Sequence, residues 1–311
     1  MQYRTLGRTG LQLSVLSYGA ASLGNEYGNL DEAQGLRSLH VALDGGINFI
    51  DTSPYYGRTL AERMLGKAFR EIPRDRFLIG TKCGRYDVAS FDFSAERVTR
   101  SVEESLQRMG LEHLDILQCH DIEFVPLRQI VEETLPTLRK LKAQGKVRFL
   151  GITGFPLHIF RHVLDRTDLD CILSYCHYSL NNTSLLEVIP QMKAKGIGIM
   201  SASPLSERLL TQQALPAWHH APPALREVCR RAVEHCAARG VDIAQLAIRF
   251  AVENPDITTT VVGSANPVNM KKCLDWAAGP LDCELLAEVR KILEPVKDML
   301  WPVGLPENGL Q

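Results

Sequence analysis

The sequence predicts an α/β fold, a (β/α)8 TIM barrel, from the alternation of eight short apolar runs with amphipathic stretches of helical period. Glycines stand just past the ends of those stretches, and no Pro/Gly/Ser-rich linker or low-complexity run divides the chain. Strands that alternate with helices pair in parallel through right-handed crossovers, and eight such units close a barrel of roughly 250 residues. The 311 residues therefore read as one domain, 1–311, with an N-terminal β-hairpin and extra C-terminal helices added to the barrel.

Taken in order, Tyr3 to Leu6 and Leu11 to Val15 flank Gly7-Arg8-Thr9-Gly10, a hairpin with a glycine-containing turn. Leu16 to Gly19 is the first core strand. The other strands fall at Asn48 to Asp51, Phe77 to Lys82, Asp115 to His120, Arg148 to Thr153, Asp170 to Tyr175, Gly198 to Ala202 and Thr258 to Val262. Between them the period is helical at Asp31 to Asp44, Leu60 to Phe69, Ser94 to Met109, Gln129 to Ala143, Leu157 to Asp165 and Ser184 to Lys195. Ala224 to Ala238 and Ile243 to Val252 follow, and the additions lie near Val268 to Ala277 and Cys283 to Leu293. Ser94 offers an N-cap, and Gly110, Gly145, Gly196 and Gly240 stand where a helix ends in a left-handed residue. A doubly wound dinucleotide fold is the structural rival. It wants G-x-G-x-x-G after the first strand, and Gly19-Ala20-Ala21-Ser22-Leu23-Gly24 lacks the middle glycine.

With 45% hydrophobic and 23% charged residues, the chain has the composition of an ordinary globular protein with a large core. A formal charge of -1 supplies no basic field for nucleic acid or an anionic membrane, so a small-molecule partner is expected. No apolar run approaches the ~20 residues that span a bilayer, and the start lacks a signal-peptide pattern, so the expected location is cytoplasmic. The eight cysteines form no C-x-x-C pair and read as free buried thiols. Cys171, Cys176 and His177 match no common zinc spacing, and no metal is expected.

The residues that carry chemistry stand where strands end. Asn48-Phe49-Ile50 runs into Asp51, Phe77-Leu78-Ile79-Gly80 into Lys82, and Ile116-Leu117-Gln118-Cys119 into His120, while Tyr56 follows Asp51 on a loop. In a parallel barrel the carboxyl ends are where reacting groups collect. Each has a plainer reading: Asp51 as an N-cap, Tyr55 and Tyr56 as a packed aromatic pair, Lys82 as a solvated strand end, His120 as a hydrogen-bonded structural histidine. As one constellation they make a proton-transfer site. An ammonium beside the phenol of Tyr56 favours the phenolate and shifts its pKa down, the carboxylate of Asp51 keeps Lys82 charged, and His120 orients a substrate oxygen. Such a site moves a proton at an oxygen while another centre moves the electrons, as in carbonyl and alcohol redox chemistry with nicotinamide.

The motif Asp51-Thr52-Ser53-Pro54-Tyr55-Tyr56-Gly57, with Thr81-Lys82 and Cys119-His120-Asp121, resembles the aldo-keto reductase superfamily. The resemblance covers nearly the whole chain, from Arg4-Thr5-Leu6-Gly7-Arg8-Thr9-Gly10-Leu11 through Gly151-Ile152-Thr153 and Ser203-Pro204-Leu205 to Val262-Gly263-Ser264. It implies a catalytic tetrad of Asp51, Tyr56, Lys82 and His120. Thr81-Lys82-Cys83-Gly84-Arg85-Tyr86, Phe91-Asp92-Phe93-Ser94-Ala95-Glu96-Arg97-Val98, His120-Asp121-Ile122-Glu123-Phe124 and Ile172-Leu173-Ser174-Tyr175-Cys176-His177-Tyr178 narrow it to the L-galactose dehydrogenase branch. That branch implies oxidation of the anomeric carbon of an aldose to a lactone with NAD, Tyr56 acting as the base. L-galactose, L-fucose and D-arabinose are the substrates it suggests.

By the same resemblance the nicotinamide end of the cofactor lies near Gly19, Thr153, Tyr175 and Ser203, with Leu205 farther along, and the adenosine end at Gly263, Ser264 and Asn269. Gly154 replaces the family's common Asn after Thr153, and Tyr175 falls where many members have an amide-binding Gln. Ser203-Pro204 as a plain turn and Thr153 as a cap are the structural alternatives. Relatives that prefer NADP usually carry a basic residue near Ser264 or Asn269; this loop is neutral up to Lys271 and Lys272, which favours NAD over NADP. His219-His220 reads as a surface loop near the active face, and the sugar is expected between Asp121 to Phe124 and the tail around Trp301. The alternatives are an NADPH-linked aldehyde or ketone reductase and a non-catalytic nucleotide-sensing subunit. Either a monomer or a homodimer fits this reading.

Overall fold

In a computed structural model that describes residues 1–309, eight strands close into a parallel barrel, each paired with its neighbours in chain order. They are β1 (Leu16–Gly19), β2 (Phe49–Asp51), β3 (Leu78–Cys83), β4 (Leu114–Cys119), β5 (Val147–Gly154), β6 (Cys171–Tyr175), β7 (Gly198–Ala202) and β8 (Thr259–Val262). Pairing of β8 with β1 closes the ring, with Val261 opposite Ser17. All eight predicted strands are present, with bounds shifted by one residue or less.

Two apolar layers hold this arrangement. Inside the barrel, Phe49, Ile116, Leu173, Met200 and Val261 meet Leu6, Leu11 and Leu13 of the hairpin Tyr3–Thr5/Gln12–Ser14. The hairpin therefore plugs the amino end. Arg4 fastens it there, its guanidinium donating to the carbonyls of Val252, Asn254 and Ile257 at 2.6–2.8 Å. Outside, the amphipathic helices bury their apolar stripes on the strands, which removes about 25 cal/mol of unfavourable hydration per Å² of apolar surface. Side chains of Asp31, Ser94, Asp242, Asn266 and Asp282 accept from amides in the first turns that follow them. Gly110, Gly145, Gly196 and Gly240 have φ of 68° to 78°, the left-handed conformation their positions after helices require. Among the described residues no helix is long and apolar enough to cross a membrane.

Two helices differ from the sequence expectation, and proline explains both. The stretch Gln129 to Ala143 contains a widened turn, Ile130–Thr134, because Pro136 has no N–H to return to the preceding turn. Ser184 to Lys195 divides at Pro190 into a tight 3-10 turn, Ser184–Glu187, and a short helix, Ile189–Ala194. The sequence reading also missed a small hairpin, Arg85–Asp87 with Ser90–Phe91, which leaves the carboxyl end of β3.

The loops after the strands are set by close backbone contact. A Cβ at Gly24 would lie 2.5 Å from the Tyr56 carbonyl carbon, and one at Gly57, where φ is 59°, would lie 2.3 Å from the Gly24 oxygen. Bare backbone at both places brings the loop of Tyr56 against the loop after β1. At the opposite end, the buried carboxylate of Asp115 accepts from Arg74 (2.7 Å), Arg148 (2.6 Å) and the Ile79 amide (2.9 Å). Asp115→Ala strands that amide and two guanidinium groups, so urea unfolding is expected to show a loss of about 3 kcal/mol. A loss below about 1 kcal/mol would show that the pairing of β3 with β4 does not depend on this anchor.

Candidate functional site

The predicted site residues lie at the carboxyl rim of the barrel or on the loops that follow it, except Asn269, which stands in the first turn of the helix Pro267–Ala278. Asp51 ends β2, Lys82 stands near the end of β3, and His120 directly follows β4. Lys82 reaches across the interior and donates to Asp51 Oδ1 at 2.5 Å, to the Thr52 carbonyl at 2.8 Å and to the Tyr56 hydroxyl at 3.2 Å. The Lys82 and Asp51 side chains are 1% and 4% exposed, so neither charge is solvated except by the other and by this set of oxygens. Burial pushes the Asp51 carboxyl up, with the Lys82 ammonium pulling against it.

Tyr56 departs from the expectation. Its pKa is raised well above the ordinary value, first by burial and then by Asp51 and Asp121. The physical reason is that Asp51 offsets the Lys82 charge at closer range, while the phenolate loses its water. In this environment Tyr56 is a phenol, a proton donor at neutral pH.

His120 is fixed on both sides of its ring. Its Nδ1 lies 2.9 Å from Ser53 Oγ, and that hydroxyl already accepts from the Tyr55 amide at 3.1 Å. Ser53 thus anchors the Nδ1 edge of the ring, and the direction of that bond follows the tautomer of the imidazole. Burial pushes the His120 pKa down to about 3, so the ring is neutral. Nε2 points to the rim, 3.6 Å from Asp121 Oδ2.

Asp121, which the sequence reading grouped with the sugar loop, is central to the site. It adopts φ 51°, a left-handed conformation unusual for a residue with a side chain, and Thr153 holds it there. The Asp121 amide donates to Thr153 Oγ1 at 2.9 Å, and Thr153 donates back to Asp121 Oδ1 at 3.0 Å. Arg85 pairs with the other oxygen. Burial opposes ionisation of Asp121, but His120, Arg85 and Thr153 outweigh it and its pKa is lowered. Ser53, Asp121 and Arg85 sit inside quoted motifs, yet no spacing shows that Ser53 faces a histidine 67 residues away.

Of the expected cofactor residues, Gly19 and Gly263 close the rim backbone to backbone, since a Cβ on Gly263 would meet the Gly19 oxygen at 1.8 Å. Ser38 donates to the Ser264 carbonyl at 2.5 Å, and Asn266 caps the Val268 and Asn269 amides. Ser203 and Leu205 lie in a loop after β7 where Ser203, Ser206, Glu207 and Arg208 all have positive φ. Arg208 ties this loop to the Tyr27 carbonyl at 2.5 Å. Thr153 is 1% exposed and fully engaged with Asp121, so its hydroxyl has a structural task. At Gly154 a Cβ would meet Ile159 Cδ1 at 2.2 Å and Glu123 Oε2 at 2.8 Å. The buried Glu123 carboxyl thus fills the place a side chain would take. It accepts from the Phe155 amide at 3.0 Å and the Tyr175 hydroxyl at 3.4 Å. Burial, then Asp121, pushes it up to about 8, so it is uncharged at neutral pH.

The rim fits a nicotinamide nucleotide. The half-buried ring of Tyr175 against Phe155 offers a flat face to a planar ring, and Ser264 and Asn269 would meet the ribose end with neutral groups, while Gly19 and Gly263 pack on each other behind them. Beyond the ring, the tail docks on the loop after β4: the Leu305 amide donates to the Glu123 carbonyl at 2.9 Å, and the Asn308 side chain to the Glu123 and Val125 carbonyls at 3.1 and 2.7 Å. A cavity of about 690 Å³ lies between tail and loop, lined by Phe124, His220, Trp301, Val303 and Leu305. His219, expected on the surface, is buried against Trp301 and takes the Ala221 amide at 3.0 Å; the hydrogen bonds of its own loop turn it inward.

The geometry agrees with comparison to known proteins. Residues 15–294 match the Aldo/keto reductase family. The chain is 47% identical to L-galactose dehydrogenase of Arabidopsis thaliana, covering 99% of each. It is 35% identical to D-arabinose 1-dehydrogenase of Saccharomyces cerevisiae, over 85% of this chain and 82% of that one. An aldo-keto reductase from Bacillus halodurans in its holo form has the same fold, with a TM-score of 0.78, 23% identity, and coverage of 97% and 98%. The chain belongs to the Aldo/keto reductase family, oxidoreductases that use nicotinamide nucleotides.

Proposed function

We propose that the protein is an aldose 1-dehydrogenase that oxidises the anomeric carbon of a neutral sugar, L-galactose or a stereochemical relative such as L-fucose or D-arabinose, to the lactone with NAD. The observation that carries this reading is the convergence of Lys82, Asp51, Tyr56 and His120 at the barrel rim, within hydrogen-bonding reach of one substrate oxygen. The names of the L-galactose and D-arabinose dehydrogenases to which the chain is similar support the substrate class.

When bound, the nicotinamide supplies the acceptor for the hydride that leaves C1. The protein handles the proton. His120 donates from Nε2 to the anomeric oxygen and holds it beside Tyr56, which takes the hydroxyl proton as the C1–O bond becomes a carbonyl. Lys82 stabilises the phenolate form of Tyr56 that takes this proton, and Asp51 holds the ammonium in place. Ser53 anchors the Nδ1 edge of His120. The same path run backwards reduces a carbonyl, and the phenol state of Tyr56 at neutral pH favours that direction.

NAD is the cofactor this reading prefers. Lys271 is paired with Asp275, and the Asn266 side chain accepts from the Val268 and Asn269 amides that open the helix Pro267–Ala278, so the segment from Ser264 to Asn269 offers neutral groups to the ribose. A phosphate on that ribose gains no charge-assisted bond.

Tyr56→Phe is expected to keep reduced-cofactor affinity, read by nucleotide fluorescence, while turnover of L-galactose falls by about 10²- to 10⁴-fold. Near-normal turnover would remove Tyr56 from the mechanism. Because the Tyr56 pKa is raised, its base form is the minority at neutral pH, so kcat/KM for oxidation should climb about ten-fold per pH unit through the neutral range. His120, at about 3, contributes no acid limb above pH 5. A flat profile between pH 7 and 9 would rule out a raised phenol as the base. Side-by-side titration should give an affinity for NAD at least about ten-fold above that for NADP; equal affinities would overturn the rim argument.

A further inference from the structure

Beside the four converging side chains stands a cation that the mechanism leaves unused. Arg85 opens the small hairpin after β3, and its side chain is only 15% exposed. Its guanidinium carbon lies 4.0 Å from the Tyr55 ring centre, 5.3 Å from Phe91 and 5.4 Å from Phe124, and the Phe91 and Phe124 rings stack at 4.5 Å. Aromatic neighbours can engage the π face of a guanidinium, whereas its N–H groups point outward in its own plane. Of those five N–H groups, one has a partner among the described residues, the bond from Nη1 to Asp121 Oδ2. Nε is buried without a partner.

A guanidinium nitrogen withdrawn from water without a partner, as Nε is here, costs free energy unless a ligand completes it. The location specifies that ligand. Asp121, the carboxylate that fixes Arg85, lies 3.6 Å from His120 Nε2, and Tyr55 packs edge-on to the His120 ring at 5.7 Å. Arg85 is thus one side chain removed from the reacting oxygen.

We propose that Arg85, held by Asp121, is the specificity-determining residue that binds ring hydroxyl groups of a neutral sugar, with the Tyr55, Phe91 and Phe124 rings forming the apolar wall for its C–H face. This rests on the aldose reading above. Arg85 donates to sugar oxygens, and the free lone pairs of Asp121 accept from sugar hydroxyls. Neutrality follows from the charge balance. Asp121 already balances Arg85, and Asp51 already balances Lys82. A phosphate or carboxylate on the sugar would enter beside two carboxylates whose cations are already paired.

The experiment compares wild type, Arg85→Ala and Arg85→Lys in L-galactose oxidation with NAD and in butanal reduction with NADH. NADH affinity is followed by fluorescence and folding by thermal melting. In Arg85→Ala, KM for L-galactose should rise at least about ten-fold with NADH affinity within about two-fold, and the preference for L-galactose over butanal should fall at least about ten-fold. Arg85→Lys should regain only a minor part of that preference, because an ammonium lacks the planar fork. Wild type should also prefer L-galactose to D-galacturonate by at least about ten-fold. An unchanged preference in a folded variant, or full rescue by Lys, overturns the role of Arg85 while leaving the aldose reading intact. Should Arg85→Ala fail to fold, Arg85→Lys alone decides, and wild-type kinetics with Lys in place would refute the proposal. Butanal reduction by wild type without oxidation of any aldose overturns both.

Discussion

The ion pair between Lys82 and Asp51 is the constraint around which this molecule is arranged. Both groups are withdrawn from water, and a buried charge without its partner costs several kcal/mol. The pair is sustained by two adjacent strands, by the Thr52 carbonyl that takes a second ammonium hydrogen, and by the phenol that takes a third. An ammonium has three donors, and all three are used here. The consequence reaches the phenol: Asp51 sits close enough to Lys82 to offset its charge, and burial with Asp51 keeps Tyr56 protonated at rest. A site of this kind stabilises a state that forms during reaction more than the state it rests in.

A second layer of order surrounds that pair. Ser53 anchors the Nδ1 edge of His120, Thr153 holds Asp121 in a left-handed conformation, and Asp121 holds Arg85. The acids behind them, Glu123 and Glu207, are shielded enough to hold their protons near neutral pH. The tail completes the enclosure by bonding to the backbone of Glu123, so the far end of the chain organises the loop that carries Phe124.

Much of this was legible from local pattern. Each strand is a short apolar run, and the polar residue that breaks the run marks the carboxyl end; Asp51, Lys82 and His120 are found in that way. Helix stops at Gly110, Gly145, Gly196 and Gly240 follow from the left-handed residue a helix end needs, and the structure places φ there as expected. Local pattern failed where a single proline changed the helical ladder, at Pro136 and Pro190, and where two short strands carried too few residues for a period, at Arg85–Asp87 and Ser90–Phe91. It also failed at His219, whose burial comes from its own loop folding back on Trp301.

The sequence by itself determined the barrel, the order of its strands and the identity of the polar groups at its rim, because these depend on the period of side chains along one element and on what ends it. Only the tertiary structure decided how the groups act on one another. Strand register and barrel closure set the distances from Lys82 to Asp51 and Tyr56 and from Ser53 to His120, and burial set the proton state of Tyr56, His120 and Glu123. A pKa answers to the distance of every neighbouring charge and to the water removed from around it, and neither quantity exists until the chain has closed on itself.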